Sequence, residues 1–350
     1  WTPARVPTGT DRAVIDLPGS YTVTLSSDAS FASLTVGGTG SSPLLRQTSG
    51  TLTLNQNSTC AVGSTYELSG GTLTGSSTLT ISGTLVWSSG VMQGTGTTRL
   101  AAGSNCTISS TPSKGLSNHR VFENQGQLVY SGSNFFFNFG GTGTNRIINT
   151  TGATFEIQGD ADLNHSSVGT NAFENAGLLR KTGTGTTLIT SLAAFTNTGT
   201  VQVEAGTLQI DGASTLGGSF DLSSNATLLF TTGTSTWTPG ATVSGAGTVS
   251  LTGGTMTADH PVTLPNFNQA GGTLTGSSTL TVSGQFTWTG GSMGGNGTLI
   301  LAVGGTGTFS STGVKAINNS RVLENRGSIV YNGNNLYFGF GVTGTGQFLN

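Results

Sequence analysis

Residues 70 to 149 recur at 271 to 350 under a single shift of 201 positions, with no insertion or deletion, and no other feature constrains the fold as tightly. The stretch GGTLTGSSTLT at Gly70 to Thr80 returns letter for letter at Gly271 to Thr281. Further along, the shift pairs Trp87 with Trp288, Met92 with Met293, Lys114 with Lys315, Arg120 with Arg321, Glu123 with Glu324, Asn124 with Asn325 and Tyr130 with Tyr331. A gapless match of this length gives each residue a fixed place in a regular lattice, as in an array of stacked repeats.

The local pattern says what is stacked. Leu, Val, Ile and Phe alternate with Thr and Ser in YTVTL from Tyr21, FASLTV from Phe31 and TLTL from Thr51, the period of a half-buried strand. Gly and Asn punctuate these runs and supply turns. Only 7% of residues are charged, against roughly 25% in an ordinary soluble domain, so solubility rests on hydroxyls and amides. No stretch shows a capped 3.6-residue apolar period, and the expectation is essentially no helix.

Two kinds of coil emerge. Short ones are built on glycine, as at Gly71 and Gly90 or Gly254 and Gly272, with steps of 19 and 18 residues. Longer ones carry an asparagine turn, and Asn124, Asn149, Asn175 and Asn197 follow at steps of 25, 26 and 22. Both fit one turn of a β-solenoid with three short strands and three corners, in coils of 18–26 residues, which makes the 201-residue period about ten coils. Asparagine tolerates the left-handed backbone of a corner, and its amide can bond the asparagine about 4.8 Å above it. Asn124, Asn149, Asn175, Asn197 and Asn325 are therefore expected to form a ladder. Phe122, Phe173 and Phe195 are expected to point inward and stack, as are Phe136, Phe137 and Phe139 and their counterparts Tyr337, Phe338 and Phe340.

The chain divides into an N-terminal cap and first coils over 1–69, a first long repeat over 70–270 and the start of a second copy over 271–350, all within one continuous solenoid. The opening holds Pro3, Pro7, Pro18 and Pro43, half of the eight prolines, and the charges Arg5, Asp11, Arg12 and Asp16. Such an atypical segment reads as a cap that shields an open edge. The ending at Gln347 to Asn350 falls inside an asparagine turn, which leads one to expect further coils or head-to-tail stacking of copies of the chain.

A net charge of −2 gives no electrostatic reason to bind nucleic acid or an anionic membrane, and no apolar run nears the roughly 20 residues of a membrane span. Cys60 and Cys106 would lie about two coils apart, on the order of 10 Å, so two buried thiols are expected, with a disulfide as the alternative.

Chemistry-bearing clusters are few. In GDADLNH, Asp160, Asp162 and Asn164 have the alternate spacing of a calcium loop, but His165 and Asn171 stand where such a loop needs Gly and Glu; a solvated insertion between coils is the reading preferred, with no metal or cofactor. Glu123, Glu174 and Glu324 could line one edge with Arg120, Arg180, Arg321 and Arg326. Glu123 and Glu174 sit about two coils apart, at the limit of the roughly 5 to 9.5 Å that sugar hydrolysis uses. Arg120 with Glu123, and Arg321 with Glu324, read as corner ion pairs. His119, His165 and His260 have no metal-ligand spacing. Thr51 with Thr53, Thr72 with Thr74, Thr255 with Thr257 and Thr273 with Thr275 would suit an ice-binding face if their rows were unbroken; Val91 and Gln93 after Thr72, and Ser292 and Gly294 after Thr273, are expected to break them.

The Gly-Thr-Leu-Thr rungs and Asn-x-Gly-x-Leu turns resemble the parallel β-helix regions of large secreted bacterial surface proteins, the autotransporter and filamentous-haemagglutinin type of adhesin. The opening, with Trp1, Val6-Pro7 and the run Asp11 to Asp16, resembles the first strand of modules in such proteins. The resemblance implies a right-handed β-helix, export to the cell surface or extracellular space, and a structural or adhesive role without catalysis. Partners would be further copies of the chain, surface glycans or other cells. Polysaccharide binding or cleavage, as in tailspikes and lyases, and ice binding are the alternatives.

Overall fold

The structure, a computed structural model, describes residues 5, 7–133, 135–310, 312–334, 336–342 and 344–350; Trp1, Pro3 and Val6, used in the readings of the cap and its resemblance, lie outside them. Among the described residues there are 47 strands of three to five residues and no helix. Every third strand pairs in parallel with the one before it in its sheet, so three strands make a coil of a parallel β-solenoid. The chain forms two compact units, Trp1–Arg180 and Lys181–Asn350.

In the first unit one sheet begins with Arg12–Ile15, Ser33–Val36 and Ser58–Cys60, a second with Thr22–Leu25, Leu44–Gln47 and Thr65–Leu68, and a third with Ala29–Phe31, Thr51–Leu54 and Thr72–Thr74. The second unit repeats this plan, and one of its sides splits into two ladders, Thr200–Val203 to Thr242–Gly245 and Val262–Leu264 to Gln347–Leu349. Register partners lie from 18 residues apart, as for Thr255 and Thr273, to 28, as for Phe135 and Leu163. The longest coil exceeds the expected 26 because the turn between Asn149 and Thr154 is two residues longer than its counterpart one coil earlier and the segment before Leu163 one residue longer. The equivalent strands Thr72–Thr74 and Thr273–Thr275 are the ninth and thirty-seventh of the chain. They are thus nine coils and one strand apart, not about ten coils, and the sequence period is not a whole number of turns.

Parallel register turns alternation into columns. Leu52, Leu73, Met92, Leu116 and Phe137 stack in succession, all essentially unexposed; each such side chain contributes about 1.5–3 kcal/mol by leaving water. Phe122, Phe173 and Phe195 do point inward, but Ile147 separates the first two. Their rings meet other partners, Trp87 with Phe122 at 5.9 Å and Phe155 with Phe173 at 5.2 Å. Phe135 and Phe137 are the inward pair of the FFF strand, while Phe136 and Phe139 stack on each other outside, 5.6 Å apart. Tyr337, Phe338 and Phe340 are likewise exposed. For Phe136 strand parity decides this, since residues on either side of an inward one must face out; Phe338 stacks on inward Ile317 and is exposed because no described strand pairs beyond its own.

Glycine corners stack as columns too. Gly71 has φ +75°, and a Cβ there would lie 2.2 Å from the carbonyl oxygen of Gly50 on the preceding coil. Gly103, at φ +81°, would meet nothing within 4 Å. Gly103→Ala is expected to cost only the left-handed strain of about 1–2 kcal/mol, whereas Gly71→Ala must also push two backbones apart; its urea midpoint, followed by circular dichroism, should fall clearly further. Cys60 and Cys106 are free and buried on different sheets, and burial pushes the Cys60 thiol up to about 12. A thiol reagent should therefore label neither cysteine in the native protein and both after denaturation.

Candidate functional site

Polar side chains concentrate at the corners, and most are used in joining coils. Asn124 lies on the inward column that runs Cys60, Ile81, Leu100, Asn124, Asn149, Asn175, so the ladder begins where an apolar column ends. Asn124 Nδ2 donates to Asn149 Oδ1 at 2.8 Å and to the Thr154 carbonyl at 2.8 Å. Asn149 Nδ2 donates in turn to Asn175 Oδ1 at 2.7 Å and to the Leu178 carbonyl at 3.0 Å. In the second unit Asn197 is buried and donates to the carbonyl of Gly217 at 2.6 Å, and Asn325 donates to Asn350 Oδ1 at 2.6 Å.

A second ladder escaped the sequence reading. Asn145 Nδ2 donates to Asn171 Oδ1 at 3.1 Å, the Asn145 backbone N–H donates to the same oxygen at 3.1 Å, and Asn145 Oδ1 accepts from the Arg120 N–H at 3.0 Å. Its signal was present, since Asn145 and Asn171 each stand four residues before Asn149 and Asn175.

The carboxylates are engaged outside the core. Arg46 pairs with Glu67 at 2.9 Å, Arg99 with Glu123 at 2.9 Å, Arg146 with Glu174 at 2.7 Å and Arg180 with Glu156 at 3.4 Å, all between neighbouring coils. Glu324 pairs with Arg326 at 2.6 Å. These are part-exposed bridges worth at most about 1 kcal/mol each. Glu123 and Glu174 are separated by Ile148 in register, two strand spacings or about 10 Å, and each is held by its own arginine. The expected pairs of Arg120 with Glu123 and Arg321 with Glu324 do not form. Arg120 and Arg321 point into the coil, 1% and 0% exposed, in step with inward Phe122 and Leu323 two residues on.

Asp160 is exposed, Asn164 faces outward beside Phe136, and the Asp162 carbonyl accepts from Tyr130 Oη at 2.8 Å. Among the described residues no three His, Cys, Asp or Glu gather as metal ligands. His119 Nδ1 accepts from the Thr144 N–H at 3.3 Å.

The threonine rows differ from expectation in one direction. Val91 does follow Thr72, and Ser292 follows Thr273. Upstream, however, Thr196, Thr215, Thr236, Thr257 and Thr275 form one unbroken outward row over five coils. Thr234, Thr255, Thr273 and Ser292 run beside it, two residues or about 6.6 Å away along the strands.

Searches against protein families, curated proteins and solved structures find no match for this chain.

Lys114 is another buried cation, with Nζ donating to the carbonyls of Ser110 at 3.0 Å and Ser133 at 2.9 Å. Burial lowers its pKa from 10.5 to about 8. Between those values the unfolded chain binds more protons than the folded one, so this group makes stability rise with pH across that window. Between pH 8 and pH 10 the urea midpoint of the native chain should gain on that of Lys114→Met, a comparison in which the opposing ionisation of the buried cysteines cancels. The ladder predicts its own cost: Asn149→Ala leaves buried amides unsatisfied and should lose about 2–3 kcal/mol, while exposed Asn225→Ala should stay within about 0.5 kcal/mol, both read by urea denaturation.

Proposed function

We propose that this chain is a structural segment of an extracellular, rod-like shaft, of the kind that carries a bacterial surface adhesin or builds a self-associating filament. The observation that carries this reading is that buried amides and outward ion pairs alike are spent on bonding one coil to the next, as in Asn124 to Asn149 to Asn175 and Arg99 to Glu123. A chain organised in that way resists extension along its coil axis and gains length with each coil, about 4.8 Å at the strand spacing. Surface glycans or neighbouring cells would be met by the outward Thr and Asn rows. Electron microscopy of native material tests the proposal: rods or filaments of constant width support it, and compact particles contradict it.

A second reading is favoured by the paired threonine rows in the second unit. Hydroxyls and methyls at fixed two-dimensional spacing, on a face free of charge along Thr196 to Thr275, suit the ordering of ice-like water. Thermal hysteresis that is lost in Thr236→Lys, with the fold retained by circular dichroism, would establish it; freezing without hysteresis would dismiss it.

A further inference from the structure

The corner at Arg321 encloses a guanidinium with nothing to accept its protons. Arg321 is 0% exposed, and its Nε, Nη1 and Nη2 have no hydrogen-bond partner among the described residues. The first copy supplies the comparison. Arg120, 201 positions earlier, donates from Nη2 to Thr98 Oγ1 at 2.7 Å and from Nη1 to the Gln93 carbonyl at 3.4 Å. In the second copy Leu299 stands at the position of Thr98, which removes the hydroxyl acceptor; the Gln93 acceptor is a backbone carbonyl, which Gly294 retains. The guanidinium keeps its place all the same: a Cβ on Gly96 or on Gly297 would lie 2.9 Å from the Nη1 of the arginine in its own copy.

No carboxylate of that coil compensates. Glu324 is held outside by Arg326 at 2.6 Å, and the buried Lys315 adds a second cation, donating to the carbonyls of Gly313 and Asn334. Arginine does not shed its proton at ordinary pH, and a buried charge without a partner is strongly destabilising.

We propose that the Arg321 corner binds a small monovalent anion of the halide class at its unpartnered guanidinium, and that the Arg120 corner, where Thr98 Oγ1 accepts from Nη2 at 2.7 Å, does not. The anion is an internal counter-ion that lets the second copy keep the arginine.

The test is the unfolding midpoint at constant ionic strength as chloride replaces a bulky organic anion such as gluconate. The midpoint should rise with the logarithm of chloride concentration. Leu299→Thr, which restores the acceptor that Thr98 provides, should keep the fold and abolish the dependence. Crystals grown in bromide should show an anomalous peak at hydrogen-bond distance from Arg321 and none at Arg120. A midpoint indifferent to chloride, a dependence that survives Leu299→Thr, or water alone against Arg321 would overturn the proposal.

Discussion

Backbone hydrogen bonds between each strand and the strand one coil later set every other relation in this protein. Because the pairing is parallel and in register, as in Thr65 to Thr84 to Asn105, a side chain finds its neighbour directly above it at about 4.8 Å. Burial, amide bonding and ion pairing are then decided column by column. An apolar column such as Leu52 to Phe137 needs only matched volumes. A polar column is stable inside only if each member bonds the next, which Asn124, Asn149 and Asn175 do.

The same rule explains how cations enter the interior. Lys114 is held by turn carbonyls that strand pairing leaves over, and Arg120 by one inward threonine and one carbonyl. Each such arrangement depends on particular residues in adjacent coils, so substituting one column disturbs the next. Replacing Arg99 by Ile300 and Gln125 by Arg326 in the second copy moves the bridge of the ladder-corner glutamate from a neighbouring coil to the turn that follows its own strand. Outside, that exchange is easily accommodated. Inside, replacing Thr98 by Leu299 strips an acceptor from a charge that cannot neutralise itself.

Much of this was legible in the residues. Alternation, glycine and asparagine spacing, and the gapless duplication together specified a solenoid of three-stranded coils, and a fixed step of 25 or 26 residues marked the ladder at Asn124, Asn149 and Asn175. What was not legible depended on parity through corners. Arg120 is two residues before Phe122 and shares its inward parity, yet it lies just before the strand Val121–Asn124 and reads as a surface partner of Glu123 until the corner is seen to keep that alternation. Phe136 and Phe139 fail for the same reason. The threonine rows needed register, since the partner of Thr215 is Thr196 only when the intervening corner lengths are known. The candidate site gained most from structure: the sequence named the arginines, but only the fold turned two of them inward.

The account stands or falls on in-register stacking of successive coils, and nitroxide pairs on outward strand positions measure it directly. Labels at Thr84→Cys and Asn105→Cys, one coil apart, should show strong dipolar broadening, and labels at Thr65→Cys and Asn105→Cys, two coils apart, should show less, with the buried native cysteines unlabelled. Absent broadening for the first pair, or stronger broadening for the second, would contradict the stacking on which the structure is built.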